Sequence, residues 1–333
     1  MRAVTLADVA ARAGVSGKTV SRVVNRDPNV SQETRRRIEA AIAETGFRPN
    51  TAARSLAAAR SYLIGTFSPN TSSFYHAELF RGIMRGCRAL GYHLVVEEVD
   101  VEGVSGIDRY DQGLRAMRCD GIVLPPPLSD DAALLKALDS DGVRYVRLAP
   151  ATDVARAASI FADDAAGVTA LATHLWAQGH RHFGIVLGPM DHASTPLRRD
   201  AFIAAVISLG GQTADVQVVN EPWQGSLMIT GRSAGATLLD SPRPPTAIFT
   251  FNDELAVGVM TYARELGLDV PGDLAVAGFD DSDAAMFTWP PLTTIRQPIA
   301  VMGERAVEVL AAPAATSRID CSVELIVRGS TQR

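Results

Sequence analysis

The chain has 333 residues, 47% hydrophobic and 21% charged, with a mean hydropathy of +0.09. That length implies about two domains with full cores, and no apolar run reaches the ~18 residues that would cross a bilayer. Three widely spaced cysteines (Cys87, Cys119, Cys321) exclude a disulfide framework and a cysteine zinc module. The first residues lack the apolar stretch of a signal peptide, so the expectation is a cytoplasmic protein. The formal charge of −5 is a sum of opposite signs. Residues 1–60 carry 11 Lys and Arg against 5 Asp and Glu, a net of +6, and the other 273 carry 21 against 32, a net of −11. A basic head on an acidic body is the asymmetry of a protein that touches phosphates with one part only.

In chain order, Thr5 caps a predicted helix over Leu6–Ala13, with Asp8 completing a weak capping box. Gly14 permits a sharp turn, Ser16 caps a second helix over Gly17–Asn25, and Ser31 caps a third over Gln32–Thr45, which Gly46 ends. Two eight-residue segments around a Gly-Val-Ser turn are a helix-turn-helix pattern. On the second helix Gly17, Lys18, Ser21, Arg22 and Asn25 lie opposite Val20, Val23 and Val24. The basic side chains suit guanine O6 and N7, and the Ser and Asn suit base edges or phosphates.

After Tyr62, short apolar runs alternate with helical segments, which predicts parallel sheets with right-handed crossovers. Ten candidate strands are Leu63–Phe67, His93–Val99, Gly121–Pro125, Val143–Leu148, Ser159–Ala162, Phe183–Leu187, Val216–Val219, Ala247–Phe251, Leu274–Phe279 and Thr294–Gln297. Helices are expected at Glu78–Leu90, Ala165–Gln178, Leu197–Leu209, Asp253–Leu266 and Ile299–Leu310. So many strands over 270 residues imply two doubly wound lobes. The fold class is thus α/β, an all-α helix-turn-helix headpiece followed by a bilobed body. No phosphate loop, dinucleotide fingerprint or nucleophile elbow occurs, so neither a cofactor nor an enzymatic activity is expected. His180 and His182 lack partners at metal-ligand spacing, and adjacent carboxylates such as Asp280 and Asp281 usually diverge, so no metal site is expected.

Residues 1–67 resemble the DNA-binding headpiece of the LacI/GalR family. The resemblance rests on Thr5-Leu6-Ala7-Asp8-Val9-Ala10, Val15-Ser16, Thr19-Val20-Ser21-Arg22-Val23-Val24-Asn25, Val30-Ser31-Gln32-Glu33-Thr34, Gly46-Phe47-Arg48-Pro49-Asn50 and Ala53-Arg54-Ser55-Leu56. It continues through Gly179-His180-Arg181, Asn252-Asp253, Gly278-Phe279-Asp280-Asp281 and Pro291-Leu292-Thr293-Thr294-Ile295. It implies a headpiece at 1–47, a hinge at 48–60, and a periplasmic-binding-protein-like body at 61–333. The first lobe would be about 61–160 plus 293–322 and the second about 161–292 plus 323–333, joined by three crossing strands. The implied partners are double-stranded palindromic operator DNA, a second copy of the chain and a small effector, with no membrane. DNA contacts would come from Thr5, Ser16, Gly17, Lys18, Thr19, Ser21, Arg22, Asn25, Ser31, Thr34, Asn50, Ala53 and Arg54, with Leu56 wedged into the minor groove by the folded hinge.

The resemblance also places Arg198, Asn252 and Asp280 against the effector, a donor fork, a two-way amide and a carboxylate that suit adjacent hydroxyls. Relatives that bind sugars often carry an acidic residue after the strand Val143–Leu148. Here Arg147 stands there, and if it faces the cleft it favours an acidic or differently oriented ligand. Phe74 (with Tyr75) and Trp223 are candidate stacking residues, each equally suited to a core. Gly17 replaces a base-reading side chain, shifting specificity to Lys18 and Arg22. The expected function is a repressor of carbohydrate genes, released by a sugar or glycoside. A corepressor such as a purine, or a solute-binding protein without a regulatory role, is the alternative.

Overall fold

The computed structural model describes residues 4–24, 29–47, 60–69, 73–99, 106–223, 226–312 and 317–332, and the chain divides into two units, Met1–Ser61 and Tyr62–Arg333. The predicted hinge at 48–60 lies, but for Arg60, outside the described residues, as does Asn25.

In the first unit, α1 (Leu6–Ala13), α2 (Gly17–Val24) and α3 (Gln32–Thr45) begin where the side-chain caps place them. Thr5 N–H donates to Asp8 Oδ2 at 2.8 Å and Asp8 N–H reaches Thr5 Oγ1 at 3.4 Å, so the weak box is closed from both sides. The N–H groups of Thr19 and Thr34 donate to the hydroxyls of Ser16 and Ser31 at 3.2 and 3.3 Å. Arg37 ties α3 to the end of α1, its Nη2 donating to Ala13 O at 2.6 Å. Val9, Ala10, Ala13, Val20, Val23, Ile38 and Ala41 are the buried core.

The second unit is the expected α/β body of two parallel sheets. The first lobe contains β1 (Leu63–Pro69), α4 (Ser73–Leu90), β2 (His93–Val99), a helical stretch over 106–117, β3 (Gly121–Leu124), α5 (Ala132–Ser140), β4 (Tyr145–Leu148) and β5 (Ala158–Ala162). The second lobe follows with α6 (Asp164–Ala177), β6 (Phe183–Val186), α7 (Ser194–Ser208), β7 (Val216–Val219), α8 (Leu227–Leu239), β8 (Ala247–Thr250), α9 (Asp253–Glu265), β9 (Ala275–Ala277) and α10 (Asp283–Phe287). Then come β10 (Thr294–Arg296), α11 (Ile299–Ala311), β11 (Arg318–Cys321) and β12 (Glu324–Ile326). The first sheet has the order β11-β5-β4-β3-β1-β2 and the second β7-β6-β8-β9, every pair parallel. Strands β10 and β12 form a small antiparallel ribbon.

The central strands of each sheet are covered on both faces, which is why they are mostly apolar throughout. In β3, Ile122 and Leu124 join one core with Tyr110, Leu134 and Leu138, while Val123 joins another with Leu79, Ile83, Met302 and Val307. In β8, Ala247 and Phe249 pack with α6 and α7, and Ile248 packs with α8 and α9. The chain crosses between lobes after β5, after β10 and after β11. Strand β10 sits with the second lobe, where Ile295 is buried.

Two helix pairs approach at glycine. A Cβ on Gly82 of α4 would stand 1.9 Å from Ala300 O of α11, and one on Gly258 of α9 would stand 2.2 Å from Met228 O of α8. No side chain other than hydrogen fits there.

Candidate functional site

On the first unit, Val20 and Val23 of α2 point into the core, leaving Lys18 and Arg22, four residues apart, exposed together on the outer face. Thr5, Ser16 and Ser31 are exposed at helix starts, and Gly17, Thr19, Ser21 and Thr34 are half-buried beside them. Several of these hydroxyls already work locally: Ser16 Oγ and Thr19 Oγ1 lie 2.8 Å apart, and Ser31 Oγ donates to Thr34 Oγ1 at 2.9 Å. They therefore hold the helix starts as well as facing outward. A Cβ on Gly17 would make only an ordinary 3.4 Å contact with Leu6. Asn50, Ala53, Arg54 and Leu56 lie outside the described residues.

In the body, a cavity of about 350 Å³ opens where β-strand ends of the two lobes meet. This is where parallel α/β sheets present their ligands. Its polar side is built by the second lobe. Arg198, in the second turn of α7, is buried and donates from Nε to Asp164 Oδ2 at 2.8 Å and from Nη1 to Phe251 O at 2.8 Å. Its guanidinium lies over the Phe279 and Phe251 rings, 3.5 and 4.6 Å from their centroids. Asn252 caps α9 by accepting Leu255 N–H on Oδ1 at 3.0 Å, which leaves its NH₂ for the cavity it lines. Asp280 accepts from Gln297 Nε2, and burial pushes its carboxyl up to about 8 despite the nearby Arg198. At neutral pH it is therefore a hydrogen-bond donor as well as an acceptor.

Asp280 and Asp281 adopt φ values of 104° and 56°, left-handed backbone that favours glycine. The turn is held from outside. Asp280 N–H donates to Ile295 O at 2.8 Å, and Asp281 pairs with Arg296 at 2.6 Å and Arg328 at 2.5 Å. Beneath it the buried Asp253 accepts from Thr294 Oγ1 and Ser282 N–H, both at 2.6 Å, and burial raises its carboxyl to about 7. The two neighbouring carboxylates thus diverge, and among the described residues no group of three metal-ligating side chains occurs. His180 bonds Thr246 Oγ1 at 2.9 Å, a structural tie between neighbouring strands' edges.

Two sequence expectations are corrected here. Arg147 does not face the cleft. It is fully buried, with Nε donating to Ser129 O at 2.5 Å, Nη1 to Asp153 O at 2.7 Å, and Nη2 to Asp130 Oδ1 and Thr152 O, each at 2.8 Å. A guanidinium on a buried strand needs acceptors, and the carbonyls of the flanking loops supply them. Phe74 is half-buried against the first lobe's core instead of lining the cavity. Tyr75 takes the cavity position, since successive residues on a helix point about 100° apart.

Trp223 does line the cavity, and its indole N–H is buried without a partner among the described residues. It forms a cluster with His192 and Phe251, ring centroids 6.0–6.2 Å apart. Burial lowers His192 to about 4, so it stays neutral at physiological pH. Sequence reasoning missed His192, Asp164 and Gln297. Asp164 stands two residues past the end of β5, a signal that was present; His192 sits in a loop with no local mark.

A family model described as bacterial regulatory proteins of the lacI family matches residues 5–50, and a periplasmic binding protein-like domain matches 172–331. The chain is 34% identical to the HTH-type transcriptional regulator MalR of Streptomyces coelicolor, covering 98% of this chain and 96% of the relative. It is 34% identical to the ribose operon repressor of Escherichia coli K12, covering 92% of each. The crystal structure of the lac repressor dimer bound to operator and the anti-inducer ONPF matches with a TM-score of 0.79 and 30% identity over the full length of both chains. With the headpiece, the bilobed body and near-complete coverage in agreement, this chain belongs to the LacI family of DNA-binding bacterial transcription regulators.

Proposed function

We propose that the protein is a homodimeric repressor of carbohydrate-utilisation genes, holding a palindromic operator until a sugar or glycoside enters the body. The carrying observation is the pairing, in one chain, of a helix-turn-helix unit that exposes Lys18 and Arg22 with a cavity whose polar groups gather at the lobe crossings. Arg198, Asn252 and Asp280 each present a different hydrogen-bonding character to that cavity, the set that adjacent hydroxyls require. Relatives named for ribose and lactose support a sugar as the effector class.

Self-association is supported by Phe287 and Trp289, which are 87% and 91% exposed beside the half-exposed Met286. Two large aromatics so far out of a monomer are a surface in want of a partner. Two-fold symmetry of the dimer then matches two half-sites. The residues 48–60 serve as the hinge, with Leu56 entering the minor groove on the operator. The protein acts in the cytoplasm, where its DNA is, and as a regulator instead of an enzyme, a reading supported by relatives along its whole length that are named as regulators and repressors.

Selection of duplexes from a random pool by the full-length protein, followed by release with mono- and oligosaccharides, tests this reading. A palindromic consensus that a sugar displaces is the expected result. An asymmetric site, or displacement by no carbohydrate while a purine tightens binding, overturns it.

A further inference from the structure

The chain carries 32 Lys and Arg residues, and only two of them, Lys18 and Lys136, are lysines. The difference is chemical. A guanidinium keeps its charge at any physiological pH and is not an acyl acceptor, whereas an amine takes an acyl group and loses its charge in doing so. Apart from its α-amino group, the protein therefore offers an acyl donor two amines. Both are exposed, Lys18 in the first turn of α2 and Lys136 on α5.

The two amines stand in fields of opposite sign. Between Asp8 and Asp27 the sequence holds Arg12, Lys18, Arg22 and Arg26 and no acidic residue, within a stretch of net +6. Arg22, one turn on from Lys18, is exposed on the same face, and the N–H groups that open α2 add positive potential. Lys136 belongs to the part of net −11, with Asp130 and Asp131 before it and Asp139 and Asp141 after it. Asp130, Asp139 and Asp141 are paired with Arg147, Arg156 and Arg115. Asp131 accepts the N–H groups of Ala133 and Leu134 and has no cationic partner among the described residues. A surface that gathers the phosphates of DNA gathers a small phosphate-bearing molecule as well, and the body's field repels one.

We propose that Lys18 is a modification site, acylated by an acyl phosphate that the DNA-binding face itself collects, and that the modified protein lets go of its operator. The proposal rests on the DNA contact read above for Lys18 and adds its regulation. In the step, the free-amine form of Nζ attacks the acyl carbonyl carbon. The N–C bond forms, the C–O bond to phosphate breaks, inorganic phosphate leaves, and the proton released from nitrogen goes to water. Nothing is oxidised or reduced. A positive charge with three donors becomes a neutral amide with one N–H and a carbonyl acceptor, facing the acceptors of phosphate and guanine. Operator DNA covers the same face, so it shields Lys18 and leaves modification to protein that is off the operator.

Treatment of the full-length protein with acetyl phosphate, read by peptide mass spectrometry at Lys18 and Lys136, tests this. At about 20 mM salt Lys18 reacts about tenfold faster than Lys136, and at about 500 mM the ratio falls towards one as both fields are screened. N-acetylimidazole, an uncharged donor, shows no such ratio. In mobility shifts on the duplex selected from the random pool, affinity falls about tenfold in step with Lys18 occupancy. Lys136→Arg loses as much on treatment as the parent, and Lys18→Arg keeps its own untreated affinity. An acetyl phosphate ratio near one at low salt, or one that N-acetylimidazole reproduces, overturns the modification site and leaves the DNA reading standing. So does a Lys18→Arg protein that treatment weakens as much as the parent. Acetylated Lys18 with operator affinity unchanged overturns both the switch and the DNA contact assigned to Lys18.

Discussion

The headpiece and the body use polar side chains in opposite ways. In the headpiece the side-chain hydrogen bonds that start the helices close within three residues: Thr5 with Asp8, Ser16 with Thr19, Ser31 with Thr34. The basic groups on the outer face of α2, Lys18 and Arg22, are exposed. In the body, Arg147, Arg198, Asp253 and Asp280 are buried, and their partners come from segments up to 53 residues away. A surface made for a polyanion spends its charge outward, whereas a cavity made for a small molecule must first satisfy its own charges.

That contrast is most open to attack at Arg147. Arg147→Ala takes the charge partner from Asp130, which keeps only its bonds from Ala151 and Thr152, and the donor from three loop carbonyls, and should cost about 3–5 kcal/mol of body stability in urea denaturation. A loss below about 1 kcal/mol would show that its hydrogen bonds are dispensable and the interior more tolerant than described. Next in size is the outward charge. Arg22→Ala should weaken the selected operator by about 1–3 kcal/mol in a mobility shift while leaving the melting temperature unchanged; equal affinity for both proteins would remove Arg22 from the reading set.

Local caps are worth less. Ser31→Ala should cost about 1 kcal/mol of headpiece stability, and Ser31→Gly only a few tenths. Loss of operator binding without loss of stability would instead assign the hydroxyl to DNA. A test that needs no substitution is pH. An unfolded Asp280 ionises near its ordinary value of 3.8 while the folded one holds its proton until about 8. Between those values the unfolded state binds fewer protons, so stability declines as pH rises from 5 to 8. Asp280→Asn should flatten that decline in thermal melts, leaving the part due to Asp253, whose folded value of about 7 acts in the same direction.

The same difference in range explains what sequence could tell. The three headpiece helices start and stop at residues whose caps are encoded three positions away, so Leu6–Ala13 and Gln32–Thr45 were legible to the residue. The buried strands were legible from their apolar runs. The edge strands Arg318–Cys321 and Glu324–Ile326, alternately exposed and polar, gave no such run. For the cavity, sequence found Arg198, Asn252 and Asp280 through strand ends and family motifs. It misplaced Arg147 because a strand's register says which face a side chain takes, not which loop carbonyls wait for it there. It chose Phe74 over its neighbour because one residue's step around a helix is invisible until the helix is docked.

The glycine contacts between α4 and α11, and between α8 and α9, have a mechanical meaning. Backbones that touch at Gly82 and Gly258 interlock with no compliant side chain between them, so neither helix pair can slide or spread by even a methyl's width without losing contact. Each lobe is thereby a stiff lever. Relative motion of two such levers is left to the three crossings, after β5, β10 and β11.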